Sequence, residues 1–319
     1  MNLQHIHIMK IACVEPLGIS REHFEDLKSH YKALGHEFNY YLDRQESPEE
    51  MVRRMDGAEV VVVSNIKLPK EVLEKCTNLR FLSVAFTGLD HIDLDYCKER
   101  NIAVQNASGY STTAVSELAV GMMIDLLRQV TRMDGVIRTG KGRGAFLGRE
   151  LKGKTVGVVG TGAIGTATIK LLLAFGCKVL AYNRSRHEDV EALGVKYVTL
   201  DELLKASDIV TLHVPMNSET KGLIGREQLA AMKPTALLIN TARGMVCDIA
   251  AVAEALQNGT IAGAAFDVFE QEPPIPTDHK LIAAPNCLLT PHIAFATEES
   301  FADRAGIVFD HVDGWLKNN

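Results

Sequence analysis

Four short segments of this 319-residue chain carry side chains suited to redox chemistry at a carbonyl. The first is Gly160-Thr161-Gly162-Ala163-Ile164-Gly165, a G-x-G-x-x-G string that follows the apolar run Thr155–Val159 and opens a helical pattern. In that context Gly160 permits a tight turn, Gly162 admits a diphosphate to the backbone, and Gly165 allows close packing. Together with Ala163 and Ile164 they place an anion at a helix N-terminus, where free N–H groups and the helix dipole favour it. The other three segments put Arg243, Glu272 and His292 just beyond the strand-like runs 236–240, 261–266 and 287–289. In an open parallel sheet that carboxyl edge is where ligands bind. Hydride delivered to a keto carbon leaves an alkoxide that needs a proton, and an imidazole titrating near neutrality can supply it. A carboxylate, Glu272, would orient the ring and stabilise its protonated form. A guanidinium, Arg243, would bind a substrate carboxylate and polarise the adjacent carbonyl.

Taken singly these residues are ambiguous. His292 fits a core or surface histidine, Glu272 a solvated acid before a Pro-rich turn, and Arg243 a sheet-end ion pair; their joint placement behind a dinucleotide fingerprint gives them weight. The ribose contact is expected at the end of the next strand, about 20 residues beyond the glycines. There Asn183, Arg184, Ser185 and Arg186 follow Tyr182, and Asn183 stands 18 residues after Gly165. An acidic side chain would repel a 2′-phosphate. Asn183 does not, Arg184 and Arg186 can pair with it, and Ser185 can donate a hydrogen bond. The segment therefore points to NADP(H) or to tolerance of both NAD and NADP. The alternative is that Asn183 bonds a ribose hydroxyl while the arginines are solvated.

The elements that must position these groups alternate. Strand patterns at 10–14, 37–42, 59–64, 80–85 and 103–105 are separated by amphipathic helix patterns, and a long helix is expected from about Thr113 to Arg132, with Ser111 and Thr112 as cap candidates. A second series follows the Gly-rich loop 140–148, with strands at 154–159, 178–181, 208–214, 236–239, 261–266 and 287–289 and a last helix over 297–317. Such alternation implies parallel sheets with right-handed crossovers. Composition sets further bounds. A net charge of −6 and 6% aromatic residues disfavour a nucleic-acid partner. The six cysteines are scattered without a CxxC pair, which suggests neither a disulfide framework nor a metal site and fits buried thiols in a reducing compartment. No apolar stretch is long enough to span a membrane, and MNLQHIHIMK lacks the pattern of a secretory leader, so a cytoplasmic location is expected.

The chain resembles the D-isomer-specific 2-hydroxyacid dehydrogenases. The resemblance is carried by GKTVGVVGTGAIG (153–165), HVP (213–215), NTARG (240–244), FDVFEQEP (266–273) and TPHIA (290–294), with AFTGLDHID (85–93) and NASGYSTTAVSE (106–117) in the first half. It implies Arg243 as the substrate arginine, Glu272 as the acidic partner and His292 as the acid/base. It implies Asp267 as a contact to the cofactor carboxamide and Thr241 and Ala242 as backbone contacts to nicotinamide. His213, Val214 and Pro215 lie where the family packs adenine, and Thr220 belongs with the cofactor contacts. Phe86, Thr87 and Gly88 match the loop aimed at the substrate carboxylate, with Asn65 and Tyr110 as further substrate-side contacts.

The implied architecture is α/β, with two Rossmann-like or flavodoxin-like doubly wound parallel-sheet domains. A cofactor domain, residues 110–292, is inserted in a substrate domain made of 1–109 and 293–319. The site would lie in the cleft between them, and a homodimer would form through the cofactor domain. Glu272 in place of Gln disfavours the formate dehydrogenase branch, and the chain's end at Asn319 disfavours a long 3-phosphoglycerate dehydrogenase. His-Ile-Ala-Phe-Ala at 292–296 resembles the hydroxypyruvate and glyoxylate reductase branch. The function implied is hydride transfer from NAD(P)H to a small 2-keto acid, giving a D-2-hydroxy acid. The alternatives are a branch reducing pyruvate or branched 2-keto acids, and a non-catalytic NAD(H)-sensing scaffold of the same fold.

Overall fold

Runs of β-branched and apolar residues build two sheets in which every strand pair is parallel. The computed structural model describes residues 7–319, so the reading of a leader-free amino terminus falls in part on residues outside that range. The first sheet contains β1 (Lys10–Cys13), β2 (Glu37–Tyr40), β3 (Val60–Val63), β4 (Phe81–Val84) and β5 (Ala103–Asn106), in the order β2-β1-β3-β4-β5. The second contains β6 (Thr155–Val159), β7 (Lys178–Tyr182), β8 (Lys196–Tyr197), β9 (Ile209–Leu212), β10 (Leu237–Asn240), β11 (Gly263–Phe266) and β12 (Cys287–Leu289), in the order β12-β11-β10-β9-β6-β7-β8. The first order is flavodoxin-like and the second is the Rossmann order with one added edge strand. β3, β4, β9, β10 and β11 are buried along their whole length, as sheets covered on both faces require.

The chain divides into two compact units. One runs to Ser111 and resumes over Thr297–Asn319; the other is Thr112–Ala296. The returning helix, Glu298–Lys317, is capped by the Thr297 side chain, which accepts from the Ser300 N–H at 3.1 Å. It packs on β4, where Trp315 stacks on Phe81 with ring centroids 5.5 Å apart.

Two local expectations need correction. The long helix expected over 113–132 is two helices, Thr112–Arg128 and Val130–Arg138, broken at Gln129, whose φ is +50°. Asp125 causes the break. Its carboxylate accepts from the Thr131 N–H at 2.8 Å and the Thr131 hydroxyl at 2.9 Å, satisfying an N–H at the start of the second helix. Thr112, expected as a cap, is already helical. The sequence reading also passed over the two-residue strand β8 and the short helix Glu188–Glu191. All six cysteines are free, and five are buried. No helix among the described residues is long and apolar enough to cross a membrane.

Candidate active site

Register fixes where the three titratable loops begin. Asn240 pairs with Phe266 and Phe266 with Leu289, so β10, β11 and β12 end level with one another. Arg243, Glu272 and His292 follow these ends within a few residues and share one sheet edge. The first turn is built by Asn240, which is fully buried. Its amide donates to the Arg243 carbonyl and its oxygen accepts from the Ala242 N–H, both at 3.0 Å. Gly244 closes this turn against the β11 loop, because any Cβ there would run into the Phe269 backbone. Arg243 is thereby held half-buried, donating to the Ala242 carbonyl at 2.8 Å.

The His292 loop hangs on one buried carboxylate. Asp267 Oδ1 accepts from the Thr290 hydroxyl at 2.6 Å and the Ile293 N–H at 2.8 Å, and Oδ2 accepts from the Ala294 N–H at 2.8 Å. The His292 N–H donates to the Asp267 carbonyl at 2.9 Å. These bonds hold His292 at φ +57°, in the left-handed region that non-glycine residues adopt uncommonly. Burial raises the pKa of Asp267, against the lowering effect of its three donors. The His292 ring, 11% exposed, lies edge-on to Phe295 and places Nδ1 2.7 Å from Glu272 Oε2. Glu272 is half-exposed.

The Gly-rich turn leaves β6 at the switch point between β9 and β7. Gly160 has φ +96°, and a Cβ there would meet the His213 carbonyl at 2.7 Å. Gly162 caps the helix Ala163–Ala174 without a side-chain hydrogen bond, and the space around it is open. Ala163 is exposed, Ile164 half-buried, and Gly165 sits against the Gly160 carbonyl. His213 donates its backbone N–H to Val159 and lies with Nε2 3.0 Å from the Thr211 hydroxyl. Burial lowers its pKa to about 4, so it is neutral at pH 7. Val214 is half-buried and Pro215 exposed; the Thr220 hydroxyl donates to the Pro215 carbonyl at 2.6 Å. Asn183 is half-buried, while Arg184 and Ser185 are exposed, and Arg184 reaches Glu219 at 3.4 Å.

The remaining sequence-selected residues belong to the other unit, at the carboxyl edge of its own sheet. Phe86 is buried with its ring edge-on to His91, Thr87 is exposed, and Gly88 is half-buried. Asn106 donates its amide to the Thr87 carbonyl at 2.5 Å, fixing that loop. Asn65 accepts from Arg44 at 2.7 Å. Tyr110 is buried beside Arg304, whose guanidinium lies 5.7 Å from its ring centre.

Residues 120–294 match the family model described as "D-isomer specific 2-hydroxyacid dehydrogenase, NAD binding domain". A glyoxylate reductase of Thermofilum pendens is 45% identical over 262 residues, 80% of this chain and 77% of that protein. The chain belongs to the D-isomer-specific 2-hydroxyacid dehydrogenases. A hydroxypyruvate reductase of Blautia hydrogenotrophica is 35% identical over 90% of this chain and 91% of its own length. Among solved structures, a D-lactate dehydrogenase of Aquifex aeolicus complexed with NAD and lactic acid superimposes with a TM-score of 0.84 at 33% identity, covering 97% of this chain and 96% of that one.

The protein is thus an NAD(P)-dependent dehydrogenase acting on 2-hydroxy and 2-keto acids. Its own residues fit a dinucleotide. The helix at Ala163 begins without a side-chain cap, open space surrounds Gly162, and the buried Thr241 hydroxyl has no hydrogen-bond partner among the described residues. Asn240 and Thr290, which the sequence analysis quoted only inside motifs and gave no role, build the turns that carry Arg243 and His292. The signal for both was position: each is a polar residue where an apolar strand ends.

Proposed function

We propose that this dehydrogenase reduces a small 2-keto acid of the glyoxylate or hydroxypyruvate type, with His292 as proton donor. The carrying observation is the 2.7 Å contact between His292 Nδ1 and Glu272 on the sheet edge that also presents Arg243. The inserted unit holds the cofactor, through the Gly160–Gly165 turn for diphosphate, His213, Val214, Pro215 and Thr220 around adenine, and Thr241, Ala242 and Asp267 near the nicotinamide end. Three donors leave one acceptor direction on the Asp267 carboxylate for a carboxamide N–H. Bound there, the cofactor supplies the hydride. Arg243 binds the substrate carboxylate and draws electron density from the neighbouring carbonyl. His292 donates its Nε2 proton to the oxygen on which negative charge develops, while Glu272 stabilises the imidazolium before that transfer. Asn65, the backbone N–H groups at 86–88 and Tyr110 are the proposed substrate contacts of the other unit.

Asn183, Arg184 and Ser185 support a preference for NADP(H), since an exposed guanidinium beside an uncharged Asn favours a 2′-phosphate. A cytoplasmic homodimer is the proposed state. The helix Val130–Arg138 has no buried residue, and with Leu147 it leaves Val130 and Ile137 exposed around a cavity of about 680 Å³. An apolar face of this kind is what a second copy would cover. The names of the relatives favour the glyoxylate and hydroxypyruvate reading over the non-catalytic scaffold. Initial rates of NADPH and NADH oxidation with hydroxypyruvate, glyoxylate and pyruvate test the proposal. Fastest turnover with one of the first two supports it; preference for pyruvate, or no turnover at all, overturns it.

A further inference from the structure

The adenosine end of the cofactor site contains a hydrogen-bonded ring whose key member lies outside every motif. Tyr197 stands on the edge strand β8, is 8% exposed, and places its hydroxyl 2.8 Å from Thr161 Oγ1. The same hydroxyl accepts from the His187 N–H at 3.3 Å. Thr161, 2% exposed, is the second residue of the Gly-rich turn; its N–H donates to Asn183 Oδ1 at 3.4 Å and its carbonyl accepts from the Thr166 hydroxyl at 3.1 Å. Asn183 then donates to the Ser185 carbonyl at 2.8 Å, with its amide also 3.2 Å from His187 Nε2. The ring therefore runs from Thr161 to Asn183, through the turn to His187, and back through Tyr197.

This ring joins two loops with different tasks. The turn at Gly160–Gly165 is the proposed diphosphate cradle, and residues 183–187 are the proposed ribose contact. Residues 184–187 are exposed, and the short helix that follows them has no side-chain cap. The Asn183 bonds and the Tyr197 hydroxyl tie this segment to the Gly-rich turn, while Arg184 and Arg186 reach Glu219 and Glu191 and the His187 carbonyl accepts from the helix that follows. We propose that Tyr197 is a positioning residue for cofactor discrimination. Its hydroxyl braces the ribose-reading turn 183–187 against the diphosphate turn at Thr161, so that the groups facing the ribose 2′ position are held in register with the bound diphosphate. This rests on the cofactor assignments of the two loops given above. It does not require that the preferred cofactor be NADPH.

Tyr197→Phe keeps the buried ring and removes only the hydroxyl. The readouts are KM and kcat for NADPH and for NADH at saturating keto acid, binding of 2′-AMP and 5′-AMP by calorimetry, and the melting temperature. The expected result is a rise of about fivefold or more in KM for the wild type's preferred cofactor, the size of one neutral hydrogen bond. kcat at saturation stays within about twofold, because the site of hydride transfer is untouched. The ratio of kcat/KM values for the two cofactors moves toward one, whichever the wild type favours. Thr161→Val reproduces the change from the other side of the bond, and Thr161→Ser, which keeps the hydroxyl, restores it. That pair decides the matter if Tyr197→Phe fails to fold. An unchanged discrimination ratio, or equal loss for both cofactors, overturns the proposal. A wild type preferring NADH would sink the NADP reading of Arg184 and leave the Tyr197 claim standing.

Discussion

Replacing Asp267 by Asn keeps shape and volume but turns one carboxylate oxygen into a donor. Oδ1 serves Thr290 and Ile293, and Oδ2 serves Ala294. The least costly orientation therefore sets the new NH2 against the Ala294 N–H, which is buried. One charge-assisted bond is lost, worth about 1.5–3 kcal/mol, and a buried donor is left unpaired at about 1–3 kcal/mol. The two overlap, so about 2–4 kcal/mol of support leaves the loop that holds His292 at φ +57°. Burial disfavours the Asp267 charge, so removing the charge returns part of that loss and favours the lower half of the range. If the loss appears as misplacement of the imidazole, kcat falls roughly 30-fold or more, at about 1.4 kcal/mol per tenfold. Steady-state kinetics at saturating cofactor and keto acid read kcat, and urea denaturation reads stability. Thr290→Val, which removes a single donor, should show a smaller effect of about 1 kcal/mol in the same direction. Wild-type kcat and wild-type stability in Asp267→Asn would refute the claim that this carboxylate holds the acid/base loop.

Three other outcomes follow from the same geometry. Glu272→Gln removes the anion 2.7 Å from His292; the ring loses its charged orienting partner, so kcat for keto-acid reduction, read by steady-state kinetics, should fall about tenfold or more. Arg184→Ala should raise KM for NADPH about tenfold and leave that for NADH nearly unchanged, measured by initial rates. His213, with its pKa lowered from 6.5 to about 4, stays neutral in the folded chain while the unfolded chain binds a proton. Stability is therefore lost as pH falls through that window, with a slope of at most about 1.4 kcal/mol per pH unit, and His213→Gln should remove this contribution from pH-dependent urea curves.

The alternation of strand and helix was legible because parallel sheets covered on both faces need continuous apolar strands, as in Val60–Val63 and Leu237–Asn240. The edge carrying Arg243, Glu272 and His292 was legible for the same reason: polar groups appear where apolar strands stop. The helix break at Gln129 was not, since the apolar pattern runs on through Val130 and the cause is a side-chain bond from Asp125 to Thr131. Nor was β8, where two residues are too few for any periodicity. Tyr197 and Asp267 show what spacing alone does not convey. Their sequence neighbours say nothing about Thr161 or Ala294, and only the folded chain brings those partners within bonding distance.

The most direct test is single-turnover hydride transfer with enzyme in excess of NAD(P)H and saturating hydroxypyruvate, comparing wild type with His292→Gln. The expected result is a fall of about a hundredfold or more in the rate of NAD(P)H oxidation, with the dissociation constant of the reduced cofactor, read from its fluorescence, within about twofold of wild type. A variant that oxidises NAD(P)H at the wild-type rate would show that the imidazole beside Glu272 does not supply the proton.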